Sequence, residues 1–200
     1  SPDGKRIAYT STRDGNQELY VIGIDGKNRK RLTSHNAIDT HPVWSPDGQQ
    51  IAWFSDASGE YQLQLADQYG GNVQTIAVPE PTFFYDLSWS PDSKLLSYTD
   101  ADRNIWILEL ASEKTTKIDN EVFAHPERTI YPAWSPDSRW LAYTKRLKNE
   151  YNAIFVYSLE EKKSHQLTDG LSDCRMPAWD KSGKYLYFSA STDYGLNVGW

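Results

Sequence analysis

The stretch His41-Pro42-Val43-Trp44-Ser45-Pro46-Asp47-Gly48-Gln49-Gln50-Ile51-Ala52-Trp53-Phe54-Ser55 decides the fold. His41 to Trp44 reads as a short apolar strand. Ser45-Pro46-Asp47-Gly48 reads as a turn, because Pro pre-sets φ, Asp bonds nearby backbone N–H groups and Gly accepts φ > 0. Ile51 to Ser55 is the next strand. Tyr61 to Leu65 alternates at period two, Gly70-Gly71-Asn72 turns the chain, and Val73 to Val78 makes a fourth strand.

The same turn opens the chain as Ser1-Pro2-Asp3-Gly4. It returns as Ser90-Pro91-Asp92-Ser93 and Ser135-Pro136-Asp137-Ser138, and in worn form as Asp180-Lys181-Ser182-Gly183. The steps are 44, 45, 45 and 45 residues. A fixed period of this length marks a repeat architecture. The residue before the turn is Trp44, Trp89, Trp134 and Trp179. After it stand Ile7, Ile51, Leu96, Leu141 and Leu186, and two places on Tyr9, Trp53, Tyr98, Tyr143 and Phe188. Between these two columns sit Ala8, Ala52, Ser97 and Ala142, with Tyr187 breaking the pattern. Large residues on one strand face and small ones on the other let neighbouring sheets nest.

Four short strands per repeat, with no helical period, predict an all-β chain: a β-propeller of four-stranded antiparallel blades. The turn register gives a single propeller segment over 1–200. It has a partial blade at 1–40, blades at 41–85, 86–130 and 131–175, and a partial blade at 176–200. About 4.3 blades are thus present, and a ring of six or seven blades is expected around them.

Aromatic residues make up 14% of the chain, too many for disorder despite a mean hydropathy of -0.69. The net charge of -6 is spread over interspersed charges of both signs, so no basic stripe points to nucleic acid. No apolar run reaches the ~20 residues of a membrane helix, and neither a nucleic-acid nor a membrane partner is expected. The single cysteine, Cys174, excludes an internal disulfide framework.

The search for chemistry is mostly negative. There is no Gly-x-Ser-x-Gly elbow, and Ser45, Ser90 and Ser135 recur with the turn, which explains them. Cys174 reads as a buried structural thiol. His35, His41, His125 and His165 are scattered, without His-Glu-x-x-His or paired cysteines, so no metal site is assigned. Asp14-Gly15-Asn16 and Asp25-Gly26-Lys27 read as hairpin turns, since the longer calcium-loop spacing is missing. No catalytic residue and no cofactor are assigned.

One pair of columns varies where its neighbours hold. Four residues before the turn stand His41, Asp86, Tyr131 and Met176, and one place earlier Thr40, Tyr85, Ile130 and Arg175. These enter the first strand of each blade, which lines a propeller's channel. A mouth of His41, Asp86, Tyr131 and Arg175 would suit peptide termini, with Arg175 facing a carboxylate and Asp86 an amine. The alternative is a wet wall that tolerates any residue. Pro79-Glu80-Pro81-Thr82-Phe83-Phe84-Tyr85 is a second candidate, as an exposed recognition loop or an inter-blade plug.

The Pro-x-Trp-Ser-Pro-Asp-Gly turn, the Ile-Ala-Tyr strand and the Asp25-Gly26…Leu32-Thr33 ending resemble the WD-like propeller repeat. That repeat occurs in the TolB, tricorn-protease and prolyl-oligopeptidase-type families. More narrowly, Tyr143 to Lys148, Ile154 to Tyr157 and Pro177 to Phe188 resemble the closing blades of the second propeller of tricorn-like proteases. The tail Ser191 to Trp200 is similar to the segment before their PDZ and catalytic regions. This resemblance implies a non-catalytic propeller segment of a serine peptidase, guiding or docking oligopeptides for a separate catalytic domain. The implied partners are oligopeptide substrates, or a protein partner, together with the rest of a homo-oligomeric parent. The compartment stays open between bacterial periplasm and cytoplasm, the periplasm being favoured. The rival implication is a TolB-like propeller acting as a protein-binding module.

Overall fold

A computed structural model describes residues 1–80, 82–123 and 130–191. All its regular structure is β. The first sheet holds β1 (Arg6–Ser11), β2 (Glu18–Gly23) and β3 (Lys30–Arg31) in that order. The second holds β4 (Asp39–Trp44), β5 (Gln50–Ser55), β6 (Gln62–Asp67) and β7 (Gln74–Ile76). The third holds β8 (Phe84–Trp89), β9 (Leu95–Asp100), β10 (Asn104–Glu109) and β11 (Lys114–Asn120). The fourth holds β12 (Ala133–Trp134), β13 (Trp140–Arg146), β14 (Asn152–Ser158) and β15 (Lys163–Gln166). The last holds β16 (Cys174–Trp179) and β17 (Leu186–Ala190). Neighbours in each sheet follow chain order, as propeller blades do. The strand counts of three, four, four, four and two are those the turn spacing predicts. The chain divides into two compact units, Ser1–Lys117 and Ile118–Trp200.

The turn owes its recurrence to a small closed set of bonds. In the second blade the Ser45 hydroxyl donates to Asp47 Oδ1 at 2.6 Å and accepts from the Gln50 N–H at 2.9 Å. The Gly48 N–H donates to the Ser45 carbonyl, and the Gln49 N–H to Asp47 Oδ1. Ser90 with Asp92, and Ser135 with Asp137, repeat the pattern. These serines are buried and their hydroxyls are committed to the turn. The fourth turn position is left-handed throughout: Gly4, Gly48 and Gly183 take it freely, while Ser93 and Ser138 take it at φ 60.

Period-two alternation sorts the core of the first unit. On β5, Ile51 and Trp53 pack with Leu19, Val21 and Ala66, toward the β1–β3 sheet. Ala52 and Phe54 point the other way, into a cluster with Leu87, Leu96, Tyr98 and Trp106 of the β8–β11 sheet. Residues 51–55 are therefore all buried, because the strand is covered on both faces. In the second unit Leu141, Ala142, Tyr143, Ala153 and Ile154 are fully buried. Each of the large aliphatic side chains contributes roughly 1.5–3 kcal/mol on burial, so stacked sheet faces hold each unit together.

Candidate functional site

The variable column turns out to have a backbone signature. His41, Asp86, Tyr131 and Met176 all have left-handed φ, at 55, 54, 45 and 58°. The cause is a bulge in the first strand of each blade. Register slips by one between Thr40 and Val43, between Tyr85 and Ser88, and between Arg175 and Ala178. In the fourth blade Ala133 pairs with Ala142, while the Thr144 N–H reaches the Ile130 carbonyl, which is the same one-residue offset. A bulge adds one residue opposite one and re-aims its side chain. Here all four re-aimed side chains are exposed.

Glycine would take this conformation without strain, yet none of the four is glycine. His and Asp tolerate left-handed φ better than most residues, whereas for Tyr and Met it is an outlier. In the first unit the Asp86 carboxylate accepts from the Thr99 hydroxyl at 2.8 Å. His41 makes no hydrogen bond among the described residues. In the second unit Tyr131 and Met176 stand 38% and 56% exposed. Arg175 lies one place before its bulge and is half-buried, with its Nε on Asp173 Oδ2 at 2.8 Å. Met176 occupies the left-handed position there.

The aromatic run after Pro79 splits in two. Phe84 is buried, stacks on Phe54 at 4.7 Å and meets Tyr98 edge-on. Phe83 is exposed and lies against Tyr61. Phe84 is therefore the plug, and Phe83 the surface residue. Pro81, and the tail from Thr192 to Trp200, lie outside the described residues. Cys174 is buried, and burial pushes its thiol pKa up against a smaller opposing effect of Thr168.

A second constellation has no counterpart in the sequence reading, which assigned no metal site. Glu18, His35 and Asp39 each present a ligand atom within 4.8 Å of the other two. They come from β2, the connection after β3, and β4, with no motif spacing to join them. The available signal was positional. Glu18 starts the third strand of its blade, where later blades carry neutral Gln62, Asn104 and Asn152.

Comparison with known proteins is consistent with this architecture. Residues 43–194 match the family described as the tricorn protease second beta propeller domain. The chain belongs to that family. Residues 1–83 also match the TolB beta propeller domain. The Tol-Pal system protein TolB of Desulfosudis oleivorans is 42% identical over 60 residues, covering 30% of this chain and 14% of that protein. Dipeptidyl-peptidase 5 of Porphyromonas gingivalis is 35% identical over 69 residues, covering 32% of this chain and 10% of that protein. The chain thus spans a small part of the length of these relatives. The crystal structure of TolB from Acinetobacter baumannii superposes with a TM-score of 0.66 at 21% identity, over 92% of this chain and 46% of that one. This β-propeller is therefore of the TolB and tricorn kind, related to the propellers of peptidases.

Proposed function

We propose that this chain is a non-catalytic propeller segment of a tricorn-like serine peptidase, which guides or docks oligopeptides for a catalytic domain elsewhere in the parent protein. The observation that carries the reading is the left-handed bulge column. A bulge explains the backbone, but it does not explain four exposed, unlike, non-glycine side chains at a strained position. Strain of this kind is kept where it serves a site. Each unit presents its own pair, His41 with Asp86 and Tyr131 with Met176. The first pair suits a peptide amine through the Asp86 carboxylate, and the second an apolar or aromatic side chain. Arg175 is tied to Asp173 at the entry to β16, and its guanidinium would face a peptide carboxylate there. Such walls belong to a ring with a central channel, for which six or seven blades are the expectation.

The test is fluorescence anisotropy with labelled oligopeptides of varied termini. Binding without cleavage is expected, weakened about tenfold by Asp86→Asn, the equivalent of 1.4 kcal/mol. Equal binding by the variant and by peptides with blocked N-termini would sink the reading. A second reading is a TolB-like module that docks a folded protein partner. It is favoured by the 42% identity with TolB, and it predicts capture of a folded domain with no affinity for short peptides.

A further inference from the structure

We infer that Glu18, His35 and Asp39 form a binding site for one divalent transition-metal ion, with Zn²⁺ or Mn²⁺ as the fitting ions. Glu18 and Asp39 are both 0% exposed. One oxygen of each carboxylate is accounted for: Arg31 Nη2 donates to Glu18 Oε1 at 2.8 Å, and Trp53 Nε1 to Asp39 Oδ1 at 3.0 Å. The other two oxygens, Glu18 Oε2 and Asp39 Oδ2, are buried without a hydrogen-bond partner. A buried carboxylate oxygen left unpaired is strongly destabilising unless a cation or proton meets it.

The charges do not balance without an added cation. Two buried carboxylates face one guanidinium, and Arg31 is shared with Asp14 at 3.9 Å. His35 Nε2 lies 3.8 Å from Asp39 Oδ2, too far for a hydrogen bond but on the open side of the pair. A dication supplies the missing charge and takes all three groups as ligands.

The donor set selects the ion. Two carboxylates and one imidazole suit Zn²⁺ or Mn²⁺, whereas Ca²⁺ and Mg²⁺ favour oxygen alone. Ligand atoms up to 4.8 Å apart must draw in by roughly 1 Å to reach metal-bond distances of about 2.0–2.2 Å. The part free to move is His35, which is exposed on the connection between β3 and β4. That connection is already gathered in, since the Asn16 amide donates to the carbonyls of His35 and Ala37. The Asp39 N–H also bonds the Gln17 carbonyl at 3.1 Å, which fixes the start of β4 beside the start of β2.

The other blades mark the departure. Gln62 Oε1 accepts from the Val78 N–H, and the Asn152 amide donates to Asp173 Oδ1. Those neutral amides brace the next connection with hydrogen bonds. At the first junction the amide is replaced by Glu18, and opposite it stands a second acid. The metal would do the bracing there, joining the first two blades of the unit.

The experiment is thermal unfolding and titration calorimetry of the chelator-stripped protein with ZnCl₂, MnCl₂ or CaCl₂. Zn²⁺ or Mn²⁺ is expected to raise the Tm and to saturate at one equivalent, with Ca²⁺ giving little. His35→Ala should keep the metal-free Tm and lose the response. Asp39→Asn, which keeps the acceptor for Trp53, should also lose it, and its metal-free Tm should be unchanged or higher. His165→Ala, away from the site, should respond like the wild type. No Tm shift with either metal, or a shift that survives both His35→Ala and Asp39→Asn, would overturn the proposal. A response to Ca²⁺ equal to that of Zn²⁺ and Mn²⁺ would overturn the choice of ion.

Discussion

Trp89 donates its indole Nε1–H to the carbonyl oxygen of Val43 at 3.2 Å. One unit on, Trp179 does the same to Ala133 at 3.1 Å. In each case the donor precedes a turn and the acceptor precedes the Trp of the blade before. The residue that looks like a turn marker in the sequence is thus a tie from one blade to the previous one.

Replacing Trp89 by Phe keeps most of the ring and removes the donor. The Val43 carbonyl loses the indole donor, so a loss of about 1 kcal/mol is expected. Trp44 supplies the comparison. Its Nε1 is buried without a partner, while Arg6 lies over its ring at 4.6 Å. Trp44→Phe should therefore cost less than Trp89→Phe. Urea unfolding of the two variants side by side checks this, and a larger loss for Trp44→Phe would remove the tie from the account.

Gly48 has φ 72, and a Cβ built there would meet Pro2 Cδ at 3.7 Å, an ordinary contact. Space is not the issue, so Gly48→Ala isolates the backbone strain. The expected cost is about 1 kcal/mol. Ser93 holds the same position one blade on, and its hydroxyl accepts from the Asp47 N–H at 3.1 Å. That bond to the neighbouring turn offsets the strain, so Ser93→Ala should cost more than the strain-free Ser93→Gly. Equal Tm values for the two Ser93 variants would contradict this.

Acid should test the turn chemistry directly. The Ser135 hydroxyl, followed by the Arg139 guanidinium, holds the Asp137 pKa down at about 2 against a smaller effect of burial. A folded pKa below the unfolded value of 3.8 means stability that is present above pH 3.8 and lost as pH falls toward 2. Asp137→Asn should flatten the stability profile between pH 4 and 2 and leave its shape above pH 5 unchanged. An unaltered acid limb in the variant would show that the Ser135–Asp137 bond contributes nothing to folding.

The blades were legible because the residues that build them do one job in every copy. Trp44 and Trp89, Ser45 and Ser90, Ile51 and Leu96 recur at one spacing, because each copy meets the same turn or the same neighbouring sheet. The left-handed bulge was half legible. His41, Asp86, Tyr131 and Met176 stood out by varying, but a bulge is a register offset between two strands, and no single strand records it. Asp173 beside Arg175 was not weighed as a partner, although it stands two residues away. The Glu18–His35–Asp39 cluster was hidden further. Its members are brought together by the pairing of β2 with its blade and by the entry of β4, and their sequence spacing has no meaning until those strands are placed.

Met176 offers the sharpest separation of strain from function. It is 56% exposed at φ 58, so its side chain buries little and its backbone is strained. Met176→Gly should raise stability by about 1 kcal/mol, since a methionine gains nothing in the left-handed region. His41→Gly should gain less, because His takes that conformation more readily. If these side chains line a peptide path, both variants should bind labelled oligopeptides more weakly while unfolding at higher denaturant. If the column is only a wall, stability should rise with binding unchanged. A fall in stability for Met176→Gly would mean that the exposed side chain makes a contact worth more than the strain, and the bulge would then be a packing device.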